Sequence, residues 1–300
     1  MKKVKYIFML LTFVILACTS DEETVFHEVS VSFSPAVHYN TRSVESEAYP
    51  GETPFGVWAY SLPLNKRWAK DAPSAFSFME NEVVSYNAGS WLPTVPYQWR
   101  SDKLLTFFAY SPAWAGASFS LENGITIANH DICDGYDLMF TRAVTDNNNH
   151  FNEGCVSLSF MSAFSKVSFS VRSMVMLSRT VHLKALYIDS LAHKGTFYSQ
   201  PTERWVTAAD KKRFDFFVGD MPVTGTSQTI GTQMMMPQNP KQPIKLVVDI
   251  YDINGNIMIA DREIETVTLT ENWKVGKYYS YTLNVYSDSV TFTTDILDNL

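Results

Sequence analysis

Apolar residues alternate with serine, threonine or asparagine along four segments of the chain, at residues 29–34, 156–160, 167–171 and 279–285. A two-residue period puts successive side chains on opposite faces of a strand, so each segment is predicted to bury one face. Strands of this kind are typical of antiparallel sheets that pack face to face. Asn254 and Gly255, which lie between two further apolar runs, predict a tight hairpin turn.

Helices are not favoured by this sequence. Apolar faces with a 3.6-residue period hardly occur, and prolines interrupt the chain between the predicted strands. A polar run at residues 146–149 divides the chain near its middle, and alternation restarts soon after it. We therefore expect an all-β fold with two tandem antiparallel β-sandwich domains, at residues 26–150 and 151–300.

The first 17 residues have the layout of a secretory leader. Three lysines precede an apolar stretch that ends at Ala17, and this stretch is shorter than the roughly 20 residues that span a bilayer. The end of the stretch resembles the lipobox of bacterial lipoproteins, which implies cleavage of residues 1–17 and acylation of Cys18. An ordinary signal peptide followed by a chance cysteine is the alternative. Residues 18–28 are expected to form an acidic tether, and their start resembles the surface-export signal of Bacteroidetes lipoproteins.

Composition and charge exclude some classes of protein and of partner. Of the 300 residues, 46% are hydrophobic and 18% are charged, which excludes an intrinsically disordered chain. The formal net charge of -7 argues against nucleic acid as a partner, because nucleic-acid-binding proteins present basic surfaces.

The sequence contains no catalytic motif and no dinucleotide or phosphate-binding loop. The histidines lack zinc-site spacing, and the ligand types within residues 130–134 are interpreted as part of a loop, so no metal and no cofactor are expected. Cys133 and Cys155 are expected either to pair or to remain free, buried thiols. A hydrolase would need two convergent carboxylates, for which the sequence offers no evidence.

Several segments together resemble the fimbrillin family of Bacteroidales surface proteins. They are TPFGVWAY at 53–60, Trp99 with FFAYSP at 107–112, YDLM at 136–139, VSLSF at 156–160 with AFSKV at 163–167, MPQ at 236–238 and WKVGKYYSY at 273–281. The resemblance implies two transthyretin-like sandwiches, export as an outer-membrane lipoprotein, and assembly with other fimbrial subunits by strand exchange.

The resemblance also implies a maturation step. A trypsin-like protease would cut between Arg42 and Ser43 and release the first strand, which carries Val29, Val31 and Phe33. A strand from a neighbouring subunit would then fill the vacated groove. A solvated loop arginine is the other interpretation of Arg42.

The C-terminal run at residues 290–297 is the candidate donor strand, because Val290, Phe292 and Ile296 alternate with polar residues. An ordinary last strand of its own sheet is the other interpretation. The resemblance therefore predicts a non-catalytic subunit of cell-surface fimbriae, with a host or bacterial surface receptor as a further partner. The alternative is a glycan-binding surface lipoprotein that uses exposed tryptophans and does not polymerise.

Overall fold

The computed structural model describes residues 29–37, 47–100, 102–145, 154–175 and 178–297. These residues form 21 strands, one α-helix, α1 (Trp68–Asp71), and 3-10 turns that include Ala72–Ser74, Ala113–Ala115 and Ile132–Asp134. The prediction of an all-β fold is confirmed. No helix within these ranges combines the length and the apolar composition that a membrane span needs.

The strands before residue 150 are β1 (Ser32–Val37), β2 (Glu47–Ala48), β3 (Phe55–Pro63), β4 (Phe76–Asn87), β5 (Ser90–Pro93), β6 (Lys103–Ser111), β7 (Ala117–Ser120), β8 (Gly124–Asp131), β9 (Met139–Phe140) and β10 (Val144–Thr145). The later strands are β11 (Cys155–Ser162), β12 (Ser165–Ser173), β13 (Arg179–Ala192), β14 (Lys194–Tyr198), β15 (Arg204–Thr207), β16 (Lys211–Val223), β17 (Gln228–Met235), β18 (Lys245–Asp252), β19 (Ile257–Glu265), β20 (Tyr278–Val285) and β21 (Val290–Leu297). The four alternating segments lie in or overlap β1, β11, β12 and β20, and β18 and β19 form the predicted hairpin.

The first sheet closes into a ring. Strands β6, β3, β4, β5, β1, β11 and β9 pair in this order, and β9 pairs back with β6. The pairing of β1 with β11 is parallel, and the other pairings around the ring are antiparallel. We call these strands the ring sheet. Its inward side chains, among them Val31, Phe33, Phe55, Phe107 and Phe160, form the ring core.

Strands β3 and β6 bury both faces because a second core lies outside the ring. Val57 and Phe107 belong to the ring core, whereas their neighbours Trp58 and Phe108 pack with Phe197 of a separate sheet. That sheet has the strand order β15-β14-β8-β7, and we call it the cover sheet. It joins two strands from before residue 150 with two from after it, so both halves of the chain contribute to it.

The remaining strands form a sandwich. One sheet has the order β17-β12-β20-β21, and the other has the order β16-β13-β18-β19. Val167, Phe169 and Tyr281 from the first sheet pack with Leu186 and Ile250 from the second in one apolar core. We call this unit the C-terminal sandwich.

The sheets do not divide at residue 150. Strand β11 falls in the predicted second domain, yet it is the parallel partner of β1 in the ring sheet. The polar run at 146–149 therefore lies between β10 and β11, two strands of one sheet. The division into two domains with a boundary near residue 150 stays a prediction, and the cover sheet also pairs strands from both sides of that residue.

Cys133 and Cys155 are both free and exposed, so the expectations of a disulfide and of buried thiols are wrong. Cys155 points outward because alternation along β11 gives the inward face to Val156. Cys133 lies in the exposed 3-10 turn Ile132–Asp134.

Candidate assembly site

The first strand completes the ring sheet between β5 and β11. It pairs in parallel with β11 over six residues. Along its other side, the N–H of Val31 donates to the carbonyl of Tyr97 at 2.8 Å, and the N–H of Trp99 donates to the carbonyl of Val29 at 2.7 Å. Main-chain groups on both sides are therefore engaged, and removal of this strand would leave unpaired edges on both sides of the gap.

The side chains of this strand fill the ring core. Val31, Phe33 and Val37 are 1%, 3% and 2% exposed, and Val29 is half-buried at the strand's start. Val37 lies outside the predicted set of Val29, Val31 and Phe33, yet it continues the same alternation and is buried in the ring core. Burying a side chain of this size contributes about 1.5–3 kcal/mol, so an empty groove would cost the fold several kcal/mol.

A glycine holds the start of this strand close to the chain before β11. Gly154 has a φ of +72°, and a Cβ atom there would lie 2.5 Å from the carbonyl oxygen of Ser30 and 2.7 Å from Cγ1 of Val29. Only glycine combines this left-handed backbone with so close an approach. Its role depends on a contact across more than 120 positions of sequence, which is why sequence reasoning did not select it.

The predicted cleavage residues lie in a connection that begins and ends beside the same end of β1. Strand β2 pairs with the last residues of β1, with Val37 opposite Glu47. Arg42 and Ser43 lie in the chain between these two strands, outside the described residues. The predicted lipidation residue Cys18 also lies outside the described residues. A cut between Arg42 and Ser43 would therefore separate β1 from β2 and leave β2 on the main body of the chain.

The C-terminal strand belongs to a different core. Strand β21 pairs antiparallel with β20 along its whole length and forms one edge of its sheet. Val290 is buried in the C-terminal sandwich, and Phe292 packs at its margin with its ring centroid 5.7 Å from that of Tyr281. Burial fades toward the strand's end, and Ile296 is 53% exposed. The structure thus separates the two predicted sets of site residues into two cores.

The first and last strands nevertheless share one side-chain pattern. Residues 31–37 read VSFSPAV, and residues 290–296 read VTFTTDI. Val290, Phe292 and Ile296 therefore repeat the types and spacing of Val31, Phe33 and Val37, with polar side chains on the residues next to each phenylalanine. The last strand carries the three apolar side chains that the first strand places in the ring core.

The tryptophans do not form a flat exposed platform. Six of the seven are buried or half-buried, and Trp114 is exposed. Trp205, for example, stacks on Phe164 with an interplanar angle of 16° and donates its N–H to the carbonyl of Ala163. These contacts indicate that most of the tryptophans serve packing, as expected for buried amphipathic aromatics.

Comparison with known proteins gives a family match and several structural relatives. A family model described as fimbrillin-like matches residues 41–298, so the match begins after β1. No curated protein sequence matches the chain. A fimbrial protein from Bacteroides vulgatus is 18% identical, with a TM-score of 0.67 over 90% of this chain and 99% of that one. Candidate cell adhesion proteins from Bacteroides ovatus and Bacteroides uniformis are 14% and 11% identical, with TM-scores of 0.55 and 0.52 over 90% of this chain and 98% and 97% of theirs. At these identities the structural likeness concerns the fold.

Proposed function

The chain belongs to the fimbrillin-like family, and we propose that it is a structural or adhesive subunit of cell-surface fimbriae that assembles by exchange of its first strand. Its role in this proposal is structural rather than catalytic, and its partners are other fimbrial subunits, either copies of this chain or paralogues. The similarity to the fimbrial protein from Bacteroides vulgatus supports the subunit role.

The observation that carries the assembly mechanism is the pattern shared by the first and last strands. When residues 29–37 are released, the ring core loses Val31, Phe33 and Val37, and the main-chain partners of this segment lose their hydrogen bonds. A β21 strand from a neighbour, laid in the same register, would place Val290, Phe292 and Ile296 at those positions and restore the ladder by β-augmentation. The exchange would also bury the side chain of Ile296, which is exposed in the subunit's own sandwich.

Release of β1 would follow cleavage between Arg42 and Ser43. The N-terminal sequence of polymer taken from the cell surface is expected to begin at Ser43. Arg42→Ala should block both the cleavage and the polymer, while Arg67→Ala, at an exposed arginine of the ring sheet's connections, should leave both unchanged. Polymer whose subunits begin at Cys18 would contradict the release step.

The donor strand is tested by two truncations. Removal of residues 290–300 should abolish polymer and leave monomer, whereas removal of residues 298–300 keeps all of β21 and should permit assembly. Normal fibres from the longer deletion would show that β21 is not the donor.

The subunit would reach the outer membrane as a lipoprotein anchored through Cys18. Labelling of cells with radioactive palmitate should mark the wild-type chain and fail to mark the Cys18→Ala variant. Equal labelling of both chains would place the lipid elsewhere. A host or bacterial surface receptor is the expected ligand of the assembled fimbria.

A further inference from the structure

Three metal-ligating side chains meet where the cover sheet borders the C-terminal sandwich. Asp131 ends β8, Cys133 lies in the 3-10 turn that follows, and His193 lies between β13 and β14. Their ligand atoms all lie within 4.8 Å of one another. The pairing of β8 with β14 produces this meeting, since Asp131 is opposite Lys194, the neighbour of His193.

The backbone holds the three residues in this arrangement. The N–H of Ile132 donates to the carbonyl of His193 at 2.9 Å, which ties the turn to the start of β14. The N–H of Cys133 donates to the Asp131 carboxylate at 2.9 Å and brings the thiol toward that carboxylate. His193 is 8% exposed, so its ring is held between packed strands rather than swinging in solvent.

A second carboxylate stands behind the histidine. Nδ1 of His193 lies 3.0 Å from Oδ1 of Asp131, and Nε2 lies 3.1 Å from Oδ2 of Asp210. A carboxylate that accepts the N–H of one ring nitrogen directs the lone pair of the other nitrogen toward a metal, which is the usual outer-shell arrangement of metal-binding histidines. Asp210 is placed for that role, and Nδ1 then faces Asp131 and Cys133.

We propose that Asp131, Cys133 and His193 bind a divalent transition-metal ion, with Zn²⁺ as the best match. Thiolate, imidazole and carboxylate together are typical zinc ligands, and three protein ligands leave a fourth tetrahedral position for water. Binding replaces the proton of the Cys133 thiol with the metal, and that proton is released to solvent. The ammonium group of Lys212 lies 3.4 Å from the Cys133 sulfur, and it can donate to the metal-bound thiolate.

Residues 130–134 were expected to form a loop, but they end β8 and form the 3-10 turn Ile132–Asp134, and they do not make the cluster by themselves. His130 turns to the opposite face of β8, where it is buried against Phe164 and Trp205. The histidine that completes the cluster is His193, 62 residues farther along the chain. The metal would clamp β8 to β14 and so strengthen the sheet that both halves of the chain share.

The site is tested by metal titration of the full chain. Calorimetry with Zn²⁺ should show one equivalent bound with release of protons, and the Co²⁺-loaded protein should show a thiolate-to-cobalt charge-transfer band. Cys133→Ser should remove that band and weaken Zn²⁺ binding at least tenfold. Asp210→Asn should weaken binding and keep the band, because Asp210 acts through His193.

Cys155→Ser is the matched control, because Cys155 is the other free, exposed cysteine of the described chain. It should keep both the band and the affinity of the wild-type chain. Cys133 is itself exposed, so its substitution should leave the fold intact, which the melting temperature without metal will verify. Absence of Zn²⁺ binding by the wild-type chain would overturn the proposal. Equal binding by Cys133→Ser would overturn it as well.

Discussion

Phe33 of the first strand meets Phe107 of β6 edge to face across the ring core, with ring centroids 5.9 Å apart and an interplanar angle of 84°. Phe33 meets Phe55 of β3 in the same way, also at 5.9 Å. Edge-to-face pairs contribute about 0.5–1.5 kcal/mol beyond the burial of their area. The first strand is therefore anchored at its centre by one aromatic side chain that contacts two strands across the core.

These aromatic contacts predict how much stability is lost when the Phe33 side chain is removed. Phe33→Ala should lower the free energy of unfolding by about 3–5 kcal/mol, because the surrounding strands cannot close the cavity fully. Ser34→Ala, at the next and exposed position of the same strand, should change it by less than about 0.5 kcal/mol. Urea unfolding followed by tryptophan fluorescence measures both. Equal stability of the two variants would mean that Phe33 does not anchor the strand.

A substitution at Ile296 can test assembly without changing the stability of the monomer. This residue is exposed in the C-terminal sandwich, but in the proposed exchange it takes the buried position of Val37. Ile296→Asp should therefore leave the free energy of unfolding of the monomer within about 0.5 kcal/mol and abolish the polymer, since it would bury an unpaired charge.

Thr293→Asp is the control for this variant, because Thr293 lies on the exposed, opposite face of β21. It adds the same charge to the same strand and should leave polymer formation intact. Electron microscopy and sedimentation of cleaved subunits distinguish the two variants. Fibres from Ile296→Asp in wild-type amount would contradict the proposed register.

The close approach of Gly154 to the first strand predicts that a side chain at this position would clash with that strand. Gly154→Ala places a methyl group 2.5 Å from the carbonyl oxygen of Ser30 and also adopts a left-handed φ of +72°. Gly51→Ala, with a φ of +58° and no atom within 4 Å of the new Cβ, meets the backbone cost alone, about 1–2 kcal/mol.

Thermal unfolding should show a larger loss of stability for Gly154→Ala than for Gly51→Ala. Hydrogen exchange should show faster exchange of the N–H of Val31 in Gly154→Ala alone. Matching losses in the two variants would show that the chain before β11 yields without disturbing the first strand.

Asp137 predicts a pH dependence of stability. Burial of its carboxyl group raises the pKa of Asp137 from 3.8 to about 6, although the hydroxyl of Ser162 donates a hydrogen bond to it at 2.8 Å. Because the folded state holds this proton more tightly than the unfolded state, the contribution of Asp137 to stability is fully present below pH 3.8 and is lost as the pH rises to about 6. Above that pH the loss is complete and constant, at about 3 kcal/mol for a shift of this size.

Asp137→Asn imitates the neutral carboxyl group and keeps an acceptor for Ser162. The variant should be more stable than the wild-type chain at pH 7 and should lack the fall in stability between pH 4 and pH 6. Asp288→Asn, at an exposed aspartate, should preserve the wild-type profile. Chemical unfolding at a series of pH values measures the difference, and parallel profiles for wild type and Asp137→Asn would contradict the burial effect.

Strands with one buried face and one exposed face could be predicted from the local sequence. Val156, Leu158 and Phe160 turn toward the ring core while Cys155 and the intervening serines face outward, so their two-residue period is visible. The hairpin at Asn254 was equally local, because the Asp252 side chain accepts from the N–H groups of Asn254 and Asn256 at 2.8 Å. Neither feature needs information from elsewhere in the chain.

The alternation is lost where a strand lies between two cores. Residues 55–59 of β3 are apolar or glycine throughout, because Val57 faces the ring core and Trp58 faces the cover sheet. A continuous apolar run shows that a segment is buried but not what covers each of its faces. The cover sheet was hidden for this reason. The parallel pairing of β1 with β11 and the meeting of Asp131 with His193 were hidden because each joins residues far apart in the chain.

The sequence by itself determined that this chain forms strands, where many of them lie, and which of their faces are apolar, since these properties depend on neighbouring side chains and backbone preferences. It also carries the repeated pattern of residues 31–37 and 290–296. Only the tertiary structure decided that Val31, Phe33 and Val37 lie in a closed ring while Val290 and Phe292 lie in a separate sandwich. The physical reason is that strand pairing is chosen by contacts between residues far apart in the chain, and every strand offers the same main-chain hydrogen bonds to every partner.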